Sequence, residues 1–412
     1  MTNLCKKFTT MTTVILLFCF VGLISIGELH HLRFTAEAGV SLCIEYDQTD
    51  NTINVNCNSS FQDVVQAISA PETVQNLGNG EYLLNATLEV ADGIALEMSS
   101  SNASNNLEYL KIAGENGIIV YGKIVIDGVK ITSWNVSSNA VIPQDMNGSI
   151  RRGYIQFAAS EGSQIVNSEF GHLGHVEPGR RGFDLVGDGG GEPSHDTVIR
   201  GNKFHDMWIA FYSNGAYNIV IDGNEYYNNI KYTVDPHTGT YDMNITNNYI
   251  HHNRIGIICS LDCYDILIDG NVVNHNTEYG IFFSRNMHNS VARNNLVYNS
   301  TTGIMVSESP DNEIYNNTIE AATSYGIRLF NPVLPDDDGV TEDNLVYNNT
   351  IISSENGIAA TRSHDNIVEN ITFFDIEESE YRLSGDSSIR IRGQYLDEPL
   401  ISHESSVTTI SQ

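Results

Sequence analysis

The sequence predicts a right-handed parallel β-helix, an all-β solenoid with coils of about 22–24 residues. One observation is an asparagine that returns at intervals of 22, 24, 23, 24, 22 and 32 residues. A second is a Gly-Ile pair that returns at intervals of 24, 23, 23 and 31 residues. The aligned residues are Asn202, Asn224, Asn248, Asn271, Asn295, Asn317 and Asn349, and Gly256, Gly280, Gly303, Gly326 and Gly357.

Each period contains short runs in which Ile or Val alternates with polar residues, a pattern that predicts strands with one buried face. The asparagines predict a stacked ladder at a turn, where their amides satisfy backbone groups. The glycines predict a bend that leaves no room for a Cβ atom. Helical solenoids have longer units, and the leucine pattern of leucine-rich repeats is absent. Because one coil cannot bury its own apolar face, stability must come from stacking.

The chain divides into four predicted segments. Residues 1–38 contain the apolar run Val14–Ile26, whose 13 residues are fewer than the ~20 that span a bilayer. This segment predicts a signal peptide or an uncleaved N-terminal anchor. Residues 39–115 are predicted to form an N-terminal cap, residues 116–395 the β-helix catalytic domain, and residues 396–412 a Ser/Thr-rich tail.

Two longer intervals interrupt the repeat. The segment between Phe170 and Asn202 contains Arg180, Arg181 and a run of three glycines, and it predicts either a ligand-holding loop or a plain surface insertion. The segment 331–339 predicts a loop inserted into one coil.

The charge balance limits the partners of this protein. The 21 Lys and Arg residues face 51 Asp and Glu residues, which gives a formal net charge of −30. Such a chain is a poor ligand for nucleic acid and is repelled by anionic lipid, so membrane contact is expected only through an N-terminal anchor. Residues 151–293 nevertheless hold ten of the basic residues and nine of the 13 histidines, which indicates either chance or a zone suited to proton transfer. A monomer is expected.

Cysteines and sequons point to export. Outside the targeting segment, Cys43 and Cys57 form one local pair and Cys259 and Cys263 another, and both pairs predict disulfides in an exported protein. Ten Asn-x-Ser/Thr sequons indicate either N-glycosylation of a secreted or cell-surface protein or structural asparagines of the repeat.

The densest chemical segment is Lys231-Tyr-Thr-Val-Asp-Pro-His237. It places a phenol, a carboxylate and an imidazole within six residues, at Tyr232, Asp235 and His237. Strict alternation puts Asp235 and His237 on one face of a strand and Tyr232 on the other. The three converge only if the backbone turns between residues 232 and 235. The alternative is a turn with exposed polar side chains.

At this point the sequence resembles the mannuronan (alginate) C5-epimerases of the periplasmic parallel β-helix type, from about Ser133 to residue 330. The most specific segments are Phe204-His-Asp-Met-Trp-Ile-Ala-Phe-Tyr212 and Asn229-Ile-Lys-Tyr-Thr-Val-Asp-Pro-His237. Gly256-Ile-Ile-Cys-Ser260 and Ser284-Arg-Asn286 occur further along at similar spacing.

The resemblance implies that the protein inverts C5 of uronic acid residues, mannuronate to guluronate, in an alginate-like polymer. It implies that His237 and Tyr232 are the two proton-transfer groups and that Asp235 orients or polarises them. A cation must neutralise the substrate carboxylate, because an ionised carboxylate makes the adjacent C–H a poor acid. The predicted substrate-binding residues are Lys231, Arg254, Asp206 and Tyr212.

Two positions depart from the family pattern. Thr238 replaces an Asp after the histidine, and Leu261 replaces the Arg that comes directly after the Gly-Ile-Ile-x-Ser segment and neutralises the carboxylate. We hypothesise that Arg285, one coil further on, takes that role, with Arg254 and Lys231 as the alternatives.

Three functions remain open on the sequence. An epimerase, which is an isomerase, and a polysaccharide lyase share the abstraction of the C5 proton, and they differ in the next step of the reaction. A non-catalytic carbohydrate-binding surface protein would lack a cation beside His237. No cofactor and no metal ligand are predicted; Ca²⁺ on the acidic loops is the alternative, although no EF-hand spacing occurs. The expected partner is an anionic polysaccharide.

Overall fold

The computed structural model describes residues 43–101, 106–187, 192–332 and 339–393, together with the backbone of 401–403 and 407–411. The predicted targeting segment 1–38 and the run of three glycines lie outside the described residues. Among the described residues, no helix has the length and the apolar character needed to cross a membrane.

The predicted parallel β-helix is confirmed. Three sheets, here named A, B and C, run the length of the described chain, and each regular coil adds one strand to each sheet. Sheet A contains the strands Ile44–Asp47, Thr52–Val55, Thr87–Val90, Gly117–Val120, Tyr154–Ala158, Gly182–Val186, Ile209–Asn214, Tyr232–His237, Ile255–Ser260, Tyr279–Ser284, Thr302–Ser307, Tyr325–Phe330, Asn356–Thr361, Ser379–Ser384 and Ile401–His403. Sheet B contains Ser59–Ser60, Ala95–Ser99, Lys123–Asp127, Gln164–Val166, Val198–Arg200, Tyr217–Asp222, Tyr241–Thr246, Tyr264–Asp269, Val291–Arg293, Glu313–Tyr315, Leu345–Tyr347, Asn366–Glu369, Ser388–Arg392 and Val407–Ser411. Sheet C contains Val74–Gly78, Glu81–Leu84, Tyr109–Ala113, Lys130–Asn135, Glu169–Gly171, Lys203–His205, Glu225–Tyr227, Tyr249–His251, Val272–Asn274, Leu296–Tyr298, Thr318–Glu320, Thr350–Ile352 and Thr372–Phe374, and Ala140–Val141 pairs with it at Lys130–Asn135.

The N-terminal end of the solenoid is closed by local structure. The helix Phe61–Ala67 begins with a capping box between Ser60 and Asp63, and it buries Phe61. The first two strands of sheet A are antiparallel. Parallel coils already occur within the segment predicted as a cap, and the strands at 401–403 and 407–411 add to sheets A and B within the predicted tail.

The predicted asparagine ladder is confirmed along the seven aligned positions. The side-chain amide nitrogens of the first six donate to the Oδ1 of the asparagine one coil further on, at 2.9 to 3.0 Å. Each also donates to a backbone carbonyl of the preceding coil, as Asn248 does to Ile221 at 3.0 Å. The ladder therefore satisfies polar groups that the stacked turns bury.

The repeated glycines occupy the second position of the sheet A strands. A Cβ atom on Gly280 would lie 2.3 Å from Cγ1 of Val297 and 2.7 Å from the carbonyl oxygen of Gly303. This position therefore faces the interior, between sheet A and sheet C, and the close approach requires glycine.

One of the two predicted disulfides is present. Cys43 and Cys57 are bonded, with their Cα atoms 5.7 Å apart. The prediction for Cys259 and Cys263 is wrong, because both are free, buried thiols. The Cys259 side chain packs in the core as part of a regular strand, while the Cys263 thiol donates to the carbonyl of Ser260 at 3.2 Å.

Candidate active site

The strand Tyr232–His237 carries its three chemical side chains on one face. Thr233 and Val234 are both fully buried, at the position where the later coils have Gly-Ile. Two successive inward residues interrupt the alternation, so Tyr232 and Asp235 both lie on the outer face of sheet A, and His237 comes after Asp235 on that face. The three side chains could share a face only if the backbone changed direction between residues 232 and 235, and this change occurs at Thr233.

Asp235 belongs to a column of outward side chains that crosses the stacked strands. Strand pairing aligns Asp184 with Tyr212, and Tyr212 with Asp235. Tyr212 packs in a small outer cluster with Trp208, Ile209 and Ile230, against which Tyr232 also lies. This apolar cluster lies on the outer face of sheet A, in the coil next to Asp235, which is buried although it does not face the core.

The Asp235 carboxyl group is held away from both water and protein donors. It is 1% exposed, and neither oxygen has a hydrogen-bond partner among the described residues. Burial raises the pKa of Asp235 well above its usual range, and the positive charges of Arg181 and Arg285 only partly oppose that rise. Burial therefore favours the protonated form of this carboxyl group, in which it is able to donate a hydrogen bond.

The imidazole of His237 is neutral at physiological pH. Burial, together with the charges of Arg285 and Arg181, lowers the pKa of His237 to about 4. Its Nδ1 lies 2.6 Å from the Oγ1 of Thr238, and its ring centroid lies 5.3 Å from that of Tyr212. The threonine that replaces the family's acidic residue therefore fixes the orientation of the ring.

The pKa of the Tyr232 phenol is shifted in the opposite direction to that of His237. Burial raises the pKa of Tyr232 above its usual value, and the nearby Asp235 adds to the rise, while Arg254 and Arg285 oppose it. The ammonium group of Lys231 lies 5.1 Å from the centre of the Tyr232 ring. Tyr232 thus remains protonated at neutral pH, as a proton donor must.

Arg285 lies in the same turn position as the unexpected Leu261, one coil further along the solenoid. Each residue comes directly after the last residue of its sheet A strand, and Ser260 and Ser284 at those ends are aligned. Both have positive φ angles, 64° for Leu261 and 53° for Arg285. Arg285 is exposed and forms no ion pair within the part of the chain that the structure describes, while its charge acts on His237, Asp235 and Tyr232.

Of the other predicted binding residues, Lys231 lies near Tyr232 and Tyr212 lies near His237. Arg254 and Asp206 have other partners. Nε of Arg254 donates to Glu278 at 2.7 Å, although the charge of this Arg still lowers the pKa of Tyr232. Asp206 accepts from His205 Nδ1 at 2.7 Å, in the turn after a sheet C strand.

The sequence predicted Arg181 only as part of a possible ligand-holding loop, and it gave no indication of Asp184. Cζ of Arg181 lies 4.0 Å from the centre of the Tyr212 ring, and its Nη1 lies 3.5 Å from Oδ2 of Asp184. Asp184 is fully buried, and burial raises its pKa to about 7. Both residues come from the irregular interval after Phe170, where no repeat pattern indicated that Gly182–Val186 is a strand of sheet A.

Two groups among the described residues bring metal-ligand atoms within 4.8 Å of one another. One consists of His172, His205 and Asp206, and the other consists of Glu161, His195 and Asp196. Neither offers the six to eight oxygen ligands that Ca²⁺ prefers. Burial lowers the pKa of His172 in the first group, and the positive charge of nearby Arg152 lowers it further.

The pH dependence of stability tests the burial of Asp184. We expect Asp184→Asn to stabilise the protein more at pH 7.5 than at pH 4.5, relative to the wild type. The folded pKa is about 7 and the unfolded pKa is ~3.9, so the folded state holds this proton more tightly. The wild type consequently loses stability as pH rises through that window, and the amide variant does not. Calorimetry of both proteins across this range measures the difference; a difference independent of pH would contradict the assignment.

Fold and site together define a parallel β-helix protein whose sheet A carries a half-buried histidine and a half-buried tyrosine, both within the electrostatic influence of Arg285. A family profile described as "Right handed beta helix region" matches residues 185–332, in agreement with the predicted hand of the solenoid.

The resemblance predicted from the motifs is confirmed by individual proteins. The mannuronan C5-epimerase of Pseudomonas putida is 27% identical over 191 residues, which cover 44% of this chain and 36% of that protein. The mannuronan C5-epimerase of Pseudomonas syringae pv. tomato is 24% identical over 214 residues, 49% of this chain and 38% of that protein. This chain thus matches little more than a third of the length of these relatives.

A crystal structure of the periplasmic alginate epimerase AlgG superposes on this chain with a TM-score of 0.61 at 17% identity. The match covers 88% of this chain and 85% of that one. At this identity the similarity establishes the shared fold, and the chemistry must be argued from the side chains.

Proposed function

We propose that this protein is a polysaccharide C5-epimerase, an isomerase that converts mannuronate to guluronate residues within an alginate-like polymer. The observation that carries the proposal is that His237, Tyr232 and Asp235 share the outer face of sheet A, near the guanidinium of Arg285, which has no acidic partner among the described residues. The named activity of the similar proteins supports the same conclusion.

The first step is removal of the C5 proton by His237. In the tautomer whose Nδ1–H donates to Thr238, Nε2 keeps its lone pair, and the low pKa of the ring leaves it free to accept a proton. Nε2 forms a bond to the proton as the C5–H bond breaks. The electron pair moves from C5 into the substrate carboxylate.

Arg285 stabilises the charge that develops on the substrate carboxylate. A carboxylate that gains a second negative charge needs a cation in place before the reaction begins. Arg285 has no competing acidic partner among the described residues, whereas Arg181 is already paired with Asp184. The charges of both Arg181 and Arg285 act on Asp235, whose carboxyl group supplies a further hydrogen-bond donor when it is protonated.

The second proton comes from Tyr232, on the opposite face of the sugar. Tyr232 and His237 begin and end one strand, so their Cα atoms are ~16 Å apart and their side chains can flank a sugar ring from two sides. The Tyr232 O–H bond breaks as the new C5–H bond forms, which inverts C5. The proton on His237 then returns to the phenolate through solvent.

The substrate is an anionic polymer, and the protein acts outside the cytoplasm. The stacked strands form a continuous surface suited to an extended chain, and the similar AlgG structure is that of a periplasmic enzyme. The segment Val14–Ile26 would serve export, either as a cleaved signal or as an anchor. No cofactor is needed for this chemistry, and the protein is proposed to act as a monomer.

The decisive experiment is incubation of polymannuronate with the protein in heavy water, with NMR of the product. We expect guluronate signals with deuterium at C5, because the second proton comes from solvent-exchanged Tyr232. An unsaturated uronate, detected by its ultraviolet absorbance, would instead identify a lyase. Unchanged polymer would contradict both activities and would favour a binding protein.

A further inference from the structure

Two guanidinium groups lie on sheet A well beyond the candidate active site. Arg328 belongs to the strand Tyr325–Phe330, and Arg362 comes directly after the next strand of the sheet. Cζ of Arg328 lies 4.4 Å from the centre of the Phe330 ring and 4.8 Å from that of Tyr325. Cζ of Arg362 lies 5.3 Å from the same Phe330 ring. One aromatic ring thus contacts two cations.

Arg328 and Arg362 occupy positions equivalent to those of two active-site residues, Asp235 and Arg285. The outward column of sheet A runs through Asp184, Tyr212, Asp235, Ile258, Phe282, Met305, Arg328, Ala359 and Arg382. Arg328 therefore lies on the same surface as Asp235, four coils further along. Arg362 comes directly after a strand of sheet A, as Arg285 does, and its φ of 52° matches the 53° of Arg285. Each region thus combines a residue of the outward column with an Arg that follows a later strand of sheet A, two coils on from Asp235 and one coil on from Arg328.

The charges of Arg328 and Arg362 have no acidic partner within the described ranges of the chain. Nε of Arg328 is buried without any hydrogen-bond partner, and Nε of Arg362 donates only to the carbonyl of Asn331 at 2.7 Å. Such an arrangement is costly unless an anion completes it, and acidic side chains are abundant in a protein of net charge −30. Arg382, two coils further along the column, is already paired with Glu378 at 2.9 Å.

We propose that Arg328 and Arg362 form a remote subsite that binds a carboxylate of the polymer. Four coils at ~4.8 Å place this subsite ~19 Å from Asp235 along sheet A. A uronate chain that runs along the column, with its reacting sugar beside Asp235 and His237, would present a later carboxylate to the Arg328–Arg362 pair. The identity of the ligand of this subsite, a polyuronate, rests on the proposed function. The subsite predicts a preference for chains long enough to reach from the active site at Asp235 to the Arg328–Arg362 pair.

The test compares substrates of different length on a variant that lacks both charges. In Arg328→Gln/Arg362→Gln we expect KM for long polymannuronate to rise roughly tenfold with kcat unchanged, the scale of losing charge-assisted contacts. Oligomers too short to span ~19 Å should be turned over as by the wild type. Arg390→Gln, which removes from sheet B an exposed charge that forms no ion pair with any described residue, is the matched control and should alter neither constant.

A binding measurement separates this proposal from the proposed activity. His237→Ala with and without the two Gln substitutions is titrated with long polymannuronate and with a neutral 1,4-linked polymer, and Arg328→Lys/Arg362→Lys serves as the charge-retaining variant. Weaker polyuronate binding on loss of both charges, restored by Lys, supports the subsite even if the wild type proves not to epimerise. Equal binding with and without the charges overturns the subsite even if epimerisation occurs. No polyuronate binding by any variant overturns both.

Discussion

His237→Ala is expected to lower kcat for epimerisation by ~10² to 10⁴, the contribution of a positioned acid–base group. The reason is that the low pKa of this imidazole, about 4, makes it the unprotonated base of the site at neutral pH. The same property sets the pH profile of kcat/KM, which should rise with pH through about 4 and then level off. Guluronate formation, monitored by NMR across a pH series, measures both effects.

His252→Ala is the matched control, because His252 is exposed and stacks on His275 with ring centroids 5.0 Å apart, in the turn after a sheet C strand. It should retain wild-type activity. His237→Gln keeps a side chain of similar reach, and it should be as inactive as the alanine variant. Full turnover by either His237 variant would remove the base from the mechanism.

Arg285→Gln is expected to lower kcat by ~10² to 10³, the loss observed when one group that stabilises a developing oxyanion is removed. The guanidinium has no acidic partner among the described residues, so its charge is available to the substrate. Binding of the polymer should weaken much less than kcat, because the remaining cations still attract it. Initial rates of epimerisation and titration of polymannuronate separate the two effects.

A guanidinium placed at Leu261 should substitute in part for Arg285. Leu261 and Arg285 come directly after aligned serines one coil apart, and both already adopt positive φ angles. Leu261→Arg in the Arg285→Gln background should therefore restore part of the lost activity, because it moves the guanidinium by only ~5 Å. Leu261→Lys provides charge without the planar fork and should restore less. Unchanged activity in Arg285→Gln, with loss in Arg181→Gln, would assign the neutralising role to Arg181 instead.

The sequence predicted the solenoid because its signals are repeated. Each coil must match its neighbours, so the asparagine ladder and the Gly280 position recur with the same spacing, and every repetition strengthens the prediction. Irregular coils carry no such redundancy. The strand Gly182–Val186 was missed for that reason, although it brings Asp184 to the site.

The prediction of a second disulfide, between Cys259 and Cys263, was wrong for a different physical reason. Cys259 and Cys263 are close in sequence, but Cys259 faces the core in register with Phe283. Both thiols lie in the same apolar core without being bonded, so proximity along the chain does not by itself supply the geometry that a disulfide requires. The pair at Cys43 and Cys57 flanks an antiparallel hairpin, which does.

The sequence by itself determined the fold, the strand that carries the proposed chemistry and the three side chain types on it, because these depend on local pattern and on motifs that occupy consecutive residues. Only the tertiary structure decided that Tyr232 shares a face with Asp235, because two inward residues in succession break the strict alternation of a strand. Only the stacking of coils brings the charge of Arg285 close enough to act on His237 and Asp235, which lie 48 and 50 positions earlier in the chain. A solenoid sets such contacts by the register between coils, and register is a property of the packed chain that no single coil contains.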